Sequence, residues 1–161
     1  MNIKVNDQIP NSEVFVIEHG NPEKISTQEF LKNKKVVIFG LPGAYTSVFS
    51  AKHLPGYVKM FEQYKEKGID HIICVSVNDP FVMNAWGKEH SVGSKILMVG
   101  DPFLNFTKAI GAEVDKSARG LGIRSNRYTM LVDNLKVIEL KEEEDAGSCE
   151  VSAAENFIKL F

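Results

Sequence analysis

Residues 41 to 57, LPGAYTSVFSAKHLPGY, decide the fold. They follow an apolar run, Val36 to Phe39, turn at Leu41-Pro42-Gly43, and enter a helix whose free amides point back at that turn. A turn that feeds a helix N-terminus presents unpaired donors and the positive end of the helix dipole, an arrangement that holds anions and reactive oxygens. Thr46 stands three residues before Phe49, a spacing that brings its hydroxyl near the side chain at 49. Arg127, at the head of the run Tyr128 to Val132, is placed to add a full positive charge from across the sheet.

Working outward, short runs rich in branched residues read as strands: Val36 to Phe39, Ile72 to Val77, Ile96 to Val99, Tyr128 to Val132 and Val137 to Leu140. The last two are joined at Asp133-Asn134, which fits a tight hairpin. Helix starts are expected at the capping boxes Ser26-x-x-Glu29 and Ser152-x-x-Glu155, and at Asp79-Pro80 and Asp101-Pro102, with Gly68 and Gly111 as stops. Strands alternating with helices and closing on a hairpin predict an α/β fold of the thioredoxin-like type, a central mixed β-sheet flanked by helices. The acidic stretch Lys141 to Asp145 reads as a solvated loop before the last helix.

The chain has 161 residues, 43% hydrophobic and 25% charged, which suits one domain spanning 1–161. A net charge of −2 and the lack of a basic patch interleaved with aromatics point away from nucleic acid. No run approaches the ~18 apolar residues of a membrane span, so a soluble, cytoplasmic protein is expected. The four histidines have no ligand spacing, and neither metal nor cofactor is expected. Cys74 and Cys149 form no CxxC, which argues against a dithiol reductase. Cys74, in the alternating run IICVSV, reads as core, and His53 as a structural helix residue.

Four blocks now carry a resemblance over nearly the whole chain: IFGLPGAYTSVFSAKHLPGYV, CVSVNDPFVMNAW, GLGIRSNRYTMLVD and CEVSAAENF. The chain resembles the type II (atypical, plant and bacterial) peroxiredoxins, whose loop reads like PGAFTPxCSxxHLPGY. The resemblance implies that the threonine matching Thr46 binds the peroxide, that the arginine matching Arg127 orients it and supports a thiolate, and that the proline matching Pro42 shields the site. It implies a hydroperoxide substrate, glutathione, glutaredoxin or thioredoxin as reductant, and a homodimer. The position of the peroxidatic cysteine is Phe49 here, and Ser47 stands where the family has proline. A resolving cysteine, where present, falls at the position of Val151 rather than Cys149.

Phenylalanine has no lone pair to attack an O–O bond, and neither Ser50 nor Thr46 replaces a thiolate as nucleophile. No appreciable turnover is expected from the chain as written. The expectation for structure is a Phe49 ring in the peroxide pocket, faced by Thr46 and Arg127, with the first helical turn shifted or partly unwound around Ser47 to Ala51. The rival expectation is a non-enzymatic binding or regulatory paralogue on the same fold.

Overall fold

The computed structural model describes the backbone of residues 1–161 and every side chain except those of Val48 and Phe49. The chain opens with β1 (Glu13–Glu18), β2 (Asn21–Ser26) and α1 (Thr27–Leu31), followed by β3 (Lys35–Leu41), α2 (Val48–Lys59) and α3 (Phe61–Glu66). It continues through β4 (His71–Ser76), α4 (Pro80–Glu89), β5 (Ile96–Gly100) and α5 (Asn105–Ala109). The short strands β6 (Glu113–Asp115) and β7 (Ile123–Ser125) precede the hairpin of β8 (Tyr128–Asp133) and β9 (Lys136–Glu142), and α6 (Ala154–Phe157) ends the fold.

Seven strands form one mixed sheet in the order β2-β1-β5-β4-β3-β8-β9, with β3, β4 and β5 parallel and the outer pairings antiparallel. Period-two alternation sends neighbouring residues to opposite faces. Val36, Ile38, Ile73 and Val75 enter one core with Leu31, Phe106 and Ile110. Val37, Phe39, Ile72 and Cys74 enter the other, with Leu54, Tyr57, Met83, Trp86 and Phe157. Helices therefore cover both faces, as the thioredoxin-like pattern requires.

Ser26 caps α1 by accepting from Glu29 N, and Asp79 caps α4 by accepting from Val82 N. The other two expected starts are displaced. The helix after Asp101 begins at Asn105, because the buried Asp101 carboxylate turns inward to accept from Phe106 N, Thr107 N and Thr107 Oγ1. The final helix begins at Ala154, because the Ser152 hydroxyl donates to Glu143 Oε1 at 2.8 Å rather than capping its own chain. That bond also overturns the reading of 141–145 as a solvated loop: Lys141 and Glu142 belong to β9, and Glu143 is only 5% exposed. The hairpin turns at Asn134-Leu135, both at positive φ (44° and 72°), the primed-turn geometry that matches strand twist.

Candidate functional site

The loop between β3 and α2 lies at the C-terminal end of the parallel strands, where open α/β sheets form their clefts. Asn78, just past β4, fastens it: Asn78 Oδ1 accepts from Ala44 N at 2.9 Å and from Ser76 Oγ at 2.8 Å. Arg124 holds the other side, donating from Nη1 to Pro42 O at 3.3 Å and from Nε to Leu121 O at 2.9 Å. Gly43 is needed for this approach, since a Cβ there would meet Arg124 Nη1 and Thr46 Cγ2, each at 2.6 Å. Tyr45, at φ 64°, swings out of the turn; its hydroxyl donates to Glu89 Oε1 on α4, and its ring lies near Trp86.

The first turn of α2 is regular. Ser47 is its N-cap and accepts from Ser50 N at 3.2 Å, while Ala51 N donates to Ser47 O at 3.2 Å. The expected shift or unwinding of Ser47 to Ala51 does not occur, because the serine supplies a cap. The expected position of the Phe49 ring lies outside the described residues.

Thr46 and Arg127 meet through Ser50. Thr46 Oγ1 donates to Gly43 O at 2.7 Å and lies 3.4 Å from Ser50 Oγ. Arg127, 0% exposed, donates from Nη2 to Ser50 Oγ at 3.1 Å, from Nε to Ala146 O at 3.1 Å, and from Nη1 to His53 Nδ1 at 3.1 Å. His53 Nε2 then donates to Ser152 O at 3.1 Å, which fixes the neutral tautomer. Burial, reinforced by the Arg127 charge, pushes the imidazole pKa down to about 3. His53 is therefore a strut for the guanidinium, in keeping with its structural reading, and is not poised as a base.

Ser152 O collects two further donors, accepting from Thr129 Oγ1 at 2.8 Å and from Tyr57 Oη at 2.9 Å. Below it, Glu143 Oε1 accepts from Glu150 N, Ser152 N and Ser152 Oγ. Among the described residues no carboxylate lies within ion-pair distance of Arg127. The guanidinium is instead held by three neutral acceptors, with Glu143 acting on it at longer range. A buried cation in this state favours an anion on the adjacent turn of α2.

Neither cysteine supplies that anion readily. Cys74 is fully buried in the sheet, and burial pushes its thiol far up, with Arg127 pulling only partly against it. Cys149 is half-buried; burial raises its pKa too, opposed by Arg127 and by a hydrogen bond with Ser152.

The sequence placed Pro42, Thr46 and Arg127 at one site, and all three lie around the β3–α2 loop. It did not assign Ser50, Glu143 or Ser152 their places. Arg124, three residues before Arg127, was open in sequence between supporting the same site, a subunit contact and the solvated surface, and it bonds Pro42 O at the site; nothing in sequence separates Glu143 from its exposed acidic neighbours.

The redoxin family model matches residues 4–158. Peroxiredoxin-2D of Arabidopsis thaliana is 42% identical over 158 residues, covering 98% of this chain and 97% of its own. Peroxiredoxin-2C of the same plant is also 42% identical, with the same coverage. Reduced Prx3 of Vibrio vulnificus, in complex with hydrogen peroxide, superposes with a TM-score of 0.91 at 41% identity, covering 98% of each chain.

Proposed function

Because the chain belongs to the peroxiredoxins of the redoxin family, we propose that it carries a type II thiol-peroxidase site from which the nucleophile has been removed at Phe49. The observation that carries this reading is the convergence of Arg127 and Thr46 on Ser50, one residue beyond Phe49. Around a cysteine at that position the arrangement has a clear chemical use. The Arg127 charge and the start of α2 stabilise a thiolate. The thiolate sulfur attacks the proximal peroxide oxygen, the O–O bond breaks, and the departing oxygen leaves as water or an alcohol once protonated, with donors on hand for its developing charge. The resulting sulfenic acid is reduced by glutathione, glutaredoxin or thioredoxin. Phe49 removes the first of these steps, so this chain consumes no peroxide by that route.

Hydrogen peroxide and organic hydroperoxides are the substrates of the site so read. The Vibrio relative, whose structure holds hydrogen peroxide, supports that choice. A cytoplasmic homodimer fits the same reading, and the exposed rings of Tyr45 (56%) and Phe81 (58%), on the loop and on α4, offer apolar surface for pairing.

The test is the initial rate of hydrogen peroxide loss with glutathione and glutaredoxin, for the protein beside its Phe49→Cys variant. Activity confined to the variant supports the reading. The missing nucleophile also favours a second reading, a binding or regulatory protein on the same fold, and silence in both proteins would select it.

A further inference from the structure

A small cleft of about 30 Å³ opens beside the β3–α2 loop, walled by Pro42, Thr46, Lys116, Arg119, Leu121 and Gly147. Lys116 is half-buried and Arg119 is exposed; both belong to the short connection between β6 and β7. Among the described residues neither side chain has an acidic partner within ion-pair distance. Two further cations lie beneath the same cleft, each bonded to a carbonyl of its lining: Arg124 to Pro42 O and Arg127 to Ala146 O. Two positive groups therefore line the opening, with two more bonded to carbonyls of its wall, in a chain whose net charge is −2. Asp115, next to Lys116 in sequence, accepts from Ser117 N at 2.8 Å and Asp145 accepts from Gly147 N at 2.9 Å, and neither lies within ion-pair distance of Lys116 or Arg119.

We propose that Lys116 and Arg119 form a carboxylate subsite at the mouth of the site, selecting small molecules that carry an acid group beside the reacting one. The inference rests on the peroxidase reading for what that reacting group is. Arg119 offers a planar fork suited to a carboxylate, and Lys116 adds a mobile point charge on the same side. A cleft of this size holds about two water-sized positions, enough for one carboxylate head but not for a whole ligand. The rest of the molecule runs past Thr46 toward the first turn of α2. Two sources share this chemistry: a peptide thiol acting as reductant, and a fatty-acyl hydroperoxide acting as substrate.

The experiment uses the native chain, with Phe49 in place, and follows backbone amide resonances by NMR. The probes are S-methylglutathione and hexanoate, each beside a neutral counterpart, the N-acetyl-S-methylglutathione diethyl ester and hexanamide. At least one acid should shift the amides of Arg119, Leu121 and Gly147 saturably. The Lys116→Ala/Arg119→Ala protein should bind that acid about tenfold more weakly, while its neutral counterpart gives no comparable shift. A response to S-methylglutathione alone assigns the subsite to a peptide thiol, a response to hexanoate alone to an acyl hydroperoxide, and a response to both to the head group itself. No response to either acid, or acid binding unchanged in the double variant, would overturn the proposal. Peroxide turnover by Phe49→Cys is a separate readout, so a failure of the peroxidase reading is distinguishable from a failure of the subsite.

Discussion

Acidification from pH 7 to pH 5 probes the strut under Arg127. His53 is buried and neutral, accepting from Arg127 Nη1 and donating to Ser152 O, and its pKa is held down at about 3. In the unfolded chain the imidazole titrates near its ordinary value of about 6.5. Because the folded pKa of this base is depressed, the unfolded state binds more protons between these values. The contribution of His53 to stability is complete above about pH 6.5 and is lost progressively as pH falls toward 3. From pH 7 to pH 5 the loss is about 2 kcal/mol for a group titrating at about 6.5 unfolded and about 3 folded. The assay is urea denaturation of the protein and of His53→Gln at both pH values. The variant is less stable at pH 7, yet should lose about 2 kcal/mol less on acidification. His71, whose pKa is also lowered by burial, is present in both proteins and cancels from the comparison. Equal losses in the two proteins would refute the buried, neutral assignment.

Other outcomes follow from the same geometry. Arg127→Ala removes three hydrogen bonds from a buried network and should lower unfolding free energy by about 2–4 kcal/mol, read from the denaturation midpoint. Glu143→Ala strips the acceptor shared by Glu150 N, Ser152 N and Ser152 Oγ; a loss of about 2–3 kcal/mol is expected, whereas a solvated Glu143 would give almost none. Gly43→Ala drives a Cβ into Arg124 and Thr46, so in a Phe49→Cys background it should slow peroxide consumption while moving stability by only about 1–2 kcal/mol.

The parts of this fold that were legible are those where burial writes itself into composition. β3, β4, β5 and β8 are buried or nearly so along most of their length; the first three appear as unbroken apolar runs and β8 as one interrupted only by Thr129. β2, with the sequence NPEKIS, is an exposed edge whose polar residues and Pro22 suit an unpaired border, so it carries no strand signal. The two displaced helix starts have different causes. Asp101 still serves the first turn of α5, accepting from Phe106 N and Thr107 N across an intervening loop, whereas the Ser152 hydroxyl is taken by Glu143.

At the site, the loop motif located Pro42 and Thr46, and the strand following Arg127 located the cation. The support behind them depends on contacts between residues distant in sequence, such as Arg127 with Ser50 and His53 with Ser152. Local patterning holds no trace of those pairings. Ser47 shows the same limit in reverse: a residue unlike the family's proline serves as an ordinary cap and keeps the first turn of α2 regular.

The thiol pKa at position 49 tests most directly whether a tuned peroxidase site surrounds Phe49. Alkylation by iodoacetamide would be followed against pH for the Phe49→Cys/Cys149→Ser protein, in which Cys74 remains buried. The Arg127 charge and the capped start of α2 predict a half-maximal rate well below the ~8.5 of a free cysteine. An inflection at or above that value would mean that Arg127 and the helix start do not stabilise an anion there, and would contradict the reading of this loop as a peroxidase site lacking only its sulfur.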